Sequence, residues 1–254
     1  MAAAGLWLGL IQGFSEFLPV SSSGHLMLAR ALLGVGTPGA VLEVWLHGAT
    51  LLAVVVALRA RLGGIVKGLV AGDGEAIRIC LLVGVGTLPA ALAGWLLHGA
   101  MDALFRPSVA AVGFLLTSLL LLTAPRSDRG ARRLAQLRLW DALLVGAMQA
   151  LALLPGLSRS ASTMAAARWC GLTAEAAAEL SFLLAIPVTA GALMITGLPA
   201  RSVAGSVLLA ALAAGTSGVL AVQWAMRGIG KPRWWTGFGV YTFLLAGLAW
   251  WIGR

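Results

Sequence analysis

The chain has 254 residues, of which 60% are hydrophobic and only 11% are charged. Because a soluble domain carries about 25% charged residues, this composition excludes an ordinary soluble protein and predicts an all-α integral membrane protein. The net charge of +9 comes from Lys and Arg residues concentrated in three short connections, which is typical of cytoplasmic loops. We therefore expect a bilayer around the chain and no nucleic acid partner.

Six apolar stretches are long enough, or nearly so, to cross a membrane, which takes about 17–25 helical residues. In chain order they cover residues 41–58, 77–97, 109–124, 175–198, 203–225 and 234–252. With the basic connections inside, the spans alternate correctly only if residues 1–40 start and finish outside. By the same argument residues 139–171 start and finish inside, so each region is predicted to form a re-entrant helical hairpin.

The predicted architecture is six transmembrane helices plus two re-entrant hairpins in an inverted-topology repeat. The first repeat covers residues 1–125 with its hairpin at 5–34. The second covers residues 139–254 with its hairpin at 139–171, and residues 126–138 form a basic cytoplasmic linker. Inverted repeats with broken helices place their sites where the two halves meet.

The two hairpins carry imperfect copies of one polar segment. The first copy reads Gln-Gly-Phe-Ser-Glu-Phe-Leu-Pro-Val-Ser-Ser-Ser-Gly-His over 12–25, and the second reads Gln-Ala-Leu-Ala-Leu-Leu-Pro-Gly-Leu-Ser-Arg-Ser over 149–160. Proline ends the incoming helix of each hairpin, and serine can cap the outgoing one. Two helix N-termini then point toward the membrane centre, a setting that favours an anion such as phosphate.

Arg159 is the strongest candidate for binding that anion. It lies between Ser158 and Ser160 at the expected start of a helix. A planar, permanently charged guanidinium beside hydroxyls and free N–H groups suits a phosphate. The structural alternative is an ion pair of Arg159 with Glu16 or Glu179.

The first hairpin supplies candidates for chemistry. The serines at 21–23 together with His25 offer a nucleophile and a proton carrier, or a pair that activates water. Glu16 is interpreted as a base, as a partner that orients His25, or as a ligand of a divalent cation. Gln12 lies one helical turn before Glu16 and can present its amide oxygen to the same cation.

Three further ionisable groups are predicted to act in supporting roles. Glu43 follows Pro19 by 24 residues, and Glu179 follows Pro155 by the same interval. These repeat equivalents, together with His47, are expected to brace the hairpins or cap helix starts from the second shell around the site.

At these residues the chain resembles the bacterial undecaprenyl-diphosphate phosphatase family, also called the bacitracin-resistance proteins. The first family signature, (Glu/Gln)-x-x-x-Glu followed by Phe-x-Pro-(Val/Ile)-Ser-Ser-x-Gly-His, is present over residues 12–25. The second, Pro-Gly-x-Ser-Arg-Ser-x-x-Thr, is present over 155–163, and Glu-x-Ser-Phe-Leu-Leu-Ala-(Ile/Val)-Pro over 179–187. The resemblance covers nearly the whole chain in length, span pattern and motif order.

The resemblance implies hydrolysis of undecaprenyl diphosphate to the monophosphate, which recycles the lipid carrier of cell-wall synthesis. It implies that Glu16, Ser22, His25 and Arg159 are catalytic, and that Ser21, Ser158, Ser160 and Thr163 line the phosphate site. It also implies a divalent cation, Mg²⁺ or Ca²⁺, bound at Glu16 or delivered with the substrate. Gln12 stands at the first acidic position of the family motif, so this chain has one carboxylate fewer there.

Two alternatives stay open on the sequence. Ser22 attacks phosphorus to give a phosphoserine, or water attacks directly with His25 or Glu16 as base. The chain is a phosphatase, or it is a lipid-carrier flippase or phosphate-binding transporter with the same architecture. The implied location is the bacterial inner membrane, with the site open to the periplasmic or extracellular side, and a homodimer is one option for the oligomeric state.

Overall fold

The computed structural model describes residues 2–34, 40–97, 99, 103–128, 132–197 and 205–254. Eleven α-helices account for nearly all of this part of the chain. They are α1 Ala2–Phe17, α2 Ser22–Leu33, α3 Ala40–Ala57, α4 Arg59–Val70, α5 Gly74–Leu97, α6 Pro107–Thr123, α7 Leu139–Leu151, α8 Arg159–Trp169, α9 Ala174–Thr196, α10 Gly205–Gly228 and α11 Pro232–Ile252. No β-strand occurs in the described ranges, where the one bridge joins Arg132 and Leu172.

The six predicted spans correspond to α3, α5, α6, α9, α10 and α11. Four of these, α5, α9, α10 and α11, are long and apolar enough to cross a membrane, and the bent pair α3–α4 counts as a fifth. Helix α6 is apolar but has only 17 residues. The predicted ends at residues 198 and 203 lie outside the described residues. The chain is thus a multi-pass helical membrane protein.

The basic connection after the first span is itself helical. Helix α4 begins two residues after α3 ends, and the two axes differ by 70°. It buries Ile65 while Arg59 and Lys67 stay exposed. An apolar stripe with basic residues on the opposite face is typical of a helix that lies along a membrane surface.

Each hairpin consists of two helices too short to span on their own. In the first hairpin α2 has 12 residues, and in the second α7 has 13 and α8 has 11. At about 1.5 Å per residue, 12 residues reach about 18 Å, less than the ~30 Å of a hydrocarbon core.

The helices pack in reciprocal pairs across the two halves of the chain. The first arm of each hairpin lies against a long helix of the other half, since α1 packs on α10 and α7 packs on α5. Helix α6 packs on α11, and α3 contacts α10 as α9 contacts α5. This exchange brings the tips of the two hairpins together.

Close approach of the hairpin arms depends on small residues. A Cβ added at Gly13 of α1 would meet the Ser217 hydroxyl and the Ala214 carbonyl of α10. A Cβ added at Gly146 of α7 would likewise meet the carbonyl of Gly86 in α5. Such contacts let membrane helices pack by dispersion where no hydrophobic force joins them.

Candidate active site

The turn of the first hairpin presents the start of α2 toward the second hairpin. Helix α1 ends at Phe17, and Ser21 caps α2 by accepting a hydrogen bond from the Gly24 N–H at 3.4 Å. Ser21 has φ +68°, a left-handed conformation that a non-glycine residue adopts at a cost. The turn is therefore held in an uncommon shape directly before Ser22.

The turn of the second hairpin is built in a comparable way. Gly156 has φ +85°, and Ser158 caps α8 by accepting from the Ala161 N–H at 3.2 Å. Arg159 is consequently the first residue of α8, beside the free N–H groups of its N-terminus.

Glu16 joins the two hairpins. Its Oε2 accepts a hydrogen bond from Ser22 Oγ at 2.5 Å and a second from Gln12 Nε2 at 3.2 Å. Its Oε1 accepts from Arg159 Nη2 at 2.7 Å. The side chains of Arg159 and Glu16 are only 16% and 10% exposed. A carboxylate that holds a serine hydroxyl on one oxygen can accept the proton of that hydroxyl.

The cluster lies in a cavity of about 240 Å³, called here the active cavity. Both hairpins and the helices α3, α5 and α9 contribute to its wall. The lining residues are Ser15, Glu16, Ser21, Ser22, Ser23, His47, Ala90, Phe105, Gln149, Ala152, Leu153, Leu157, Ser158, Arg159, Val188, Thr189 and Ala192.

Several polar atoms of the cluster are buried without a partner among the described residues. They include Arg159 Nη1, Gln12 Oε1 and Gln149 Oε1. Arg159 thus uses one terminal nitrogen to hold Glu16 and keeps the other for a ligand. An unpaired buried donor costs about 1–3 kcal/mol, so a bound anion would satisfy it.

Two of the residues expected around the phosphate face the protein instead. The hydroxyl of Ser160 donates to the Leu18 carbonyl at 2.9 Å, and Thr163 Oγ1 lies 2.7 Å from the Ser181 hydroxyl. Both residues are fully or almost fully buried and neither lines the active cavity. Their hydroxyls hold α8 in place, because the serine ties it to the turn of the other hairpin.

His25 is not brought to Glu16 and Ser22. Since a carbonyl only accepts, His25 Nδ1 donates to the Ser21 carbonyl at 2.8 Å, and Nε2 lies 2.8 Å from the Tyr241 hydroxyl. The imidazole stacks on the Tyr241 ring at 5.6 Å and lines a separate apolar groove. The Tyr241 hydroxyl and ring of α11 hold the imidazole outside the active cavity, although His25 follows Ser22 by less than one helical turn.

His47, which the sequence predicts in a supporting role, lines the active cavity itself. Its Nδ1 donates to the Glu43 carbonyl at 2.9 Å, which leaves Nε2 available to a ligand of the active cavity that it lines. Glu43 itself binds Arg30 at 2.8 Å at the edge of an adjoining cavity. Glu179 binds Arg61 at 2.5 Å and does not line the active cavity.

Thr117 of α6 is a residue that the sequence did not single out. It is fully buried, and its Oγ1 accepts from the Ser158 N–H at 2.9 Å and lies 3.0 Å from the Gly156 carbonyl. It therefore satisfies two backbone groups of the second hairpin turn. Its only sequence signal is a Thr-Ser pair inside an otherwise apolar stretch of α6.

The oxygen donors of the site fit a hard cation only in part. No group of three His, Cys, Asp or Glu side chains gathers in the described part of the chain. Gln12 Oε1 and the Glu16 carboxylate are oxygens of the kind that Mg²⁺ and Ca²⁺ bind, but they number too few for a complete shell. The remaining ligands would have to come from substrate oxygens and water.

These features define a class: a multi-pass helical membrane protein in which two helical hairpins present a serine, a carboxylate and an arginine to a buried polar cavity. The family described as "Bacitracin resistance protein BacA" matches residues 5–248, and the chain belongs to that family.

Curated relatives match over almost their full length. A protein named undecaprenyl-diphosphatase from Desulfatibacillum aliphaticivorans is 37% identical over 260 residues, which cover 94% of each chain. One of the same name from Desulfosudis oleivorans is 37% identical over 269 residues, covering 98% of this chain and 97% of its own. A third protein of that name, from Moorella thermoacetica, is 34% identical over 253 residues, which cover 97% of this chain and 97% of its own. These names support a phosphatase and give no support to the flippase or transporter alternative.

Proposed function

We propose that this chain hydrolyses undecaprenyl diphosphate to undecaprenyl phosphate and inorganic phosphate. The observation that carries the proposal is the meeting of Ser22, Glu16 and Arg159 in one cavity, with a guanidinium nitrogen left for an anion. Membership of the family and the names of the relatives support the same reaction. The monophosphate product would re-enter the carrier cycle of peptidoglycan synthesis.

In the first step the Ser22 hydroxyl attacks the terminal phosphorus while its proton passes to Glu16, 2.5 Å away. The bond between that phosphorus and the bridging oxygen breaks, and undecaprenyl phosphate leaves. A phosphate monoester has a second pKa of about 6, so it departs readily without a general acid. Arg159 and the N–H groups at the start of α8 stabilise the charge that develops on the transferred phosphoryl group.

In the second step water hydrolyses the phosphoserine. Water attacks the phosphorus, the bond to Ser22 Oγ breaks, and Glu16 returns to Ser22 the proton taken earlier, while the protons of the water leave with inorganic phosphate; Glu16 is then a carboxylate again. The runner-up is a single attack by water with Glu16 as base. The two differ in whether a phosphoserine forms.

The other predicted residues take supporting parts in this scheme. Ser158 and Ser21 line the cavity and cap the two helix starts, whereas Ser160 and Thr163 fix α8 from behind. His25 donates a hydrogen bond to the Ser21 carbonyl and thereby stabilises the turn before Ser22. The geometry favours positioning over proton transfer for His25, and its catalytic part stays a prediction.

A divalent cation would be held by Glu16 and the free Gln12 Oε1 together with the diphosphate. Bound there it would neutralise phosphate charge. Because the protein supplies few ligands, the cation is proposed to arrive with the substrate.

The proposed topology has six spans and two re-entrant hairpins in the bacterial inner membrane. Reciprocal packing across the halves and short hairpin helices support the inverted repeat, and the basic connections support an active cavity open to the outer side. A homodimer stays a prediction for the oligomeric state.

The orientation of the active cavity can be tested with a membrane-impermeant diphosphate analogue. Intact cells should release phosphate from this analogue when it is added outside. Phosphate release by inverted membranes but not by intact cells would show that the active cavity faces the cytoplasm.

The deciding experiment is phosphate release from undecaprenyl diphosphate by the detergent-purified protein. Wild type should release one phosphate per substrate, and Arg159→Gln should release far less. Equal, background-level release by both proteins would end the proposal.

A further inference from the structure

An apolar groove runs between α5 and α9 and is called here the α5–α9 groove. Its volume is about 220 Å³, and none of the described residues that line it is charged. It lies toward the C-terminal ends of both helices, because its wall includes Gly94 of α5 and Gly191 of α9.

The α5–α9 groove adjoins the active cavity and shares part of its wall. Ala90, Leu153, Val188 and Ala192 line both spaces. A ligand that extends from the diphosphate site past these four side chains passes from a polar chamber into an apolar one. Undecaprenyl diphosphate has this distribution of polarity.

We propose that the α5–α9 groove holds the isoprenoid units next to the diphosphate and thereby aligns the terminal phosphate with Ser22. This inference rests on the proposed function. A groove of this size accepts only the start of the tail, and the remainder stays among the lipids. Since lipid chains are as apolar as the groove, the groove contributes orientation rather than hydrophobic affinity.

Two other apolar spaces lack the same connection. An inner cavity of about 410 Å³ lies along the same α5–α9 seam at residues such as Gly84, and it shares no lining residue with the active cavity. A groove beside His25 and Tyr241 shares only Ser15. Among the apolar spaces described, the α5–α9 groove therefore shares the largest part of its wall with the active cavity.

Two glycines permit a direct steric test. A Cβ at Gly94 or Gly191 would meet no described atom within 4 Å, although both residues line the groove. Gly94→Leu and Gly191→Leu should therefore fill the groove without clashing with the fold. Leucine also favours helix over glycine by about 1 kcal/mol or less, so the variants should fold.

The readout compares a substrate with a tail and one without. Each groove variant should lower kcat/KM for farnesyl diphosphate by roughly tenfold, the order of effect of misplaced apolar groups in a pocket. Turnover of ethyl diphosphate should be unchanged. Gly84→Leu is the matched control on α5, because a Cβ there also meets no described atom within 4 Å and Gly84 lines the inner cavity instead. This variant should turn over both substrates at the wild-type rate. Normal farnesyl diphosphate turnover in both groove variants, or equal loss with both substrates, would overturn the proposal.

A binding measurement separates this inference from the proposed function. A farnesyl diphosphate analogue with a diazirine on its first isoprenoid unit is photolysed with the wild-type protein in nanodiscs. Labelled peptides from α5 or α9 support the groove even if no phosphate is released. Label confined to α1 and α11, or spread without preference over lipid-facing helices, overturns the groove while leaving an observed hydrolysis intact.

Discussion

Arg159 donates to Glu16 at 2.7 Å across 143 residues of chain, and this contact closes the gap between the two hairpins. The carboxylate balances one positive charge, and both side chains are largely buried. The second guanidinium nitrogen stays unpaired among the described atoms. The pair joins the two hairpins, and in the proposed mechanism the free nitrogen of the same arginine binds the incoming anion.

Replacing Arg159 by lysine should lower kcat/KM about 100-fold, the order expected when one preorganised donor to the transition state is lost. Lysine keeps the charge but cannot hold Glu16 and a phosphate through two fixed N–H groups. The measurement is phosphate release under saturating and limiting substrate. Arg61→Lys is the matched control, since its partner Glu179 does not line the active cavity, and it should stay near wild type. Wild-type activity of Arg159→Lys would contradict the proposal that the two fixed N–H groups of Arg159 hold Glu16 and the phosphate together.

Ser22→Ala should abolish turnover and any acid-stable phosphoenzyme, because its hydroxyl, which donates to Glu16, is the proposed nucleophile. Rapid quench with substrate labelled in the terminal phosphate should trap the phosphoserine in wild type. Ser23→Ala changes a neighbouring hydroxyl that lies 3.3 Å from Ser21 Oγ, and it should still form the intermediate. Turnover by Ser22→Ala at the wild-type rate would favour direct attack by water.

His25→Gln should lower kcat without changing the pH dependence of kcat. Both imidazole nitrogens are engaged away from the active cavity, by the Ser21 carbonyl and the Tyr241 hydroxyl. A positioning residue alters how Ser22 is held, whereas a proton carrier would remove one limb of the profile. Tyr241→Phe removes one of the two contacts and should have a smaller effect. Loss of one limb of the pH profile of kcat in His25→Gln would instead indicate that His25 transfers a proton.

Chelation should stop hydrolysis, although the substrate-free protein should bind no stoichiometric cation. The reason is that Glu16 and Gln12 supply few oxygen ligands. Equilibrium dialysis with radioactive Mn²⁺ tests this in the presence and absence of a diphosphate. Gln12→Glu adds a carboxylate and should lower the Mg²⁺ concentration needed for half-maximal activity. Tight binding of one cation per substrate-free wild-type chain would instead make it a resident cofactor.

Thr117→Val should destabilise the protein by about 1–3 kcal/mol, because the Ser158 N–H would lose its buried acceptor. The same change should lower kcat, since Ser158 precedes Arg159. Thermal unfolding followed by loss of monodispersity in detergent measures the first effect, and phosphate release measures the second. Thr123→Val is the control in the same helix, where the hydroxyl donates to carbonyls of its own helix, those of Leu119 and Leu120. Equal behaviour of the two variants would contradict a role for Thr117 in the turn.

Most of the helical segments could be predicted from composition and periodicity. Six apolar stretches became helices, and the connection at residues 59–70 proved helical because it can bury Ile65 while its charges stay exposed. The order of motifs also indicated that Ser22, Glu16 and Arg159 belong to one site. Helix capping and charge bias are local properties, so they can be estimated before the fold is known.

The sequence by itself determined the membrane class, the two polar hairpins and the residue types of the site. Only the tertiary structure decided which faces of the hairpin helices meet. Ser160 and Thr163 turn into the protein, His25 turns toward Tyr241, and His47 and Thr117 enter from distant helices. Periodicity assigns side chains to the faces of one helix, but the partner of each face depends on packing between separate segments, such as those of Ser160 and Leu18, 142 residues apart, or of His25 and Tyr241, 216 residues apart.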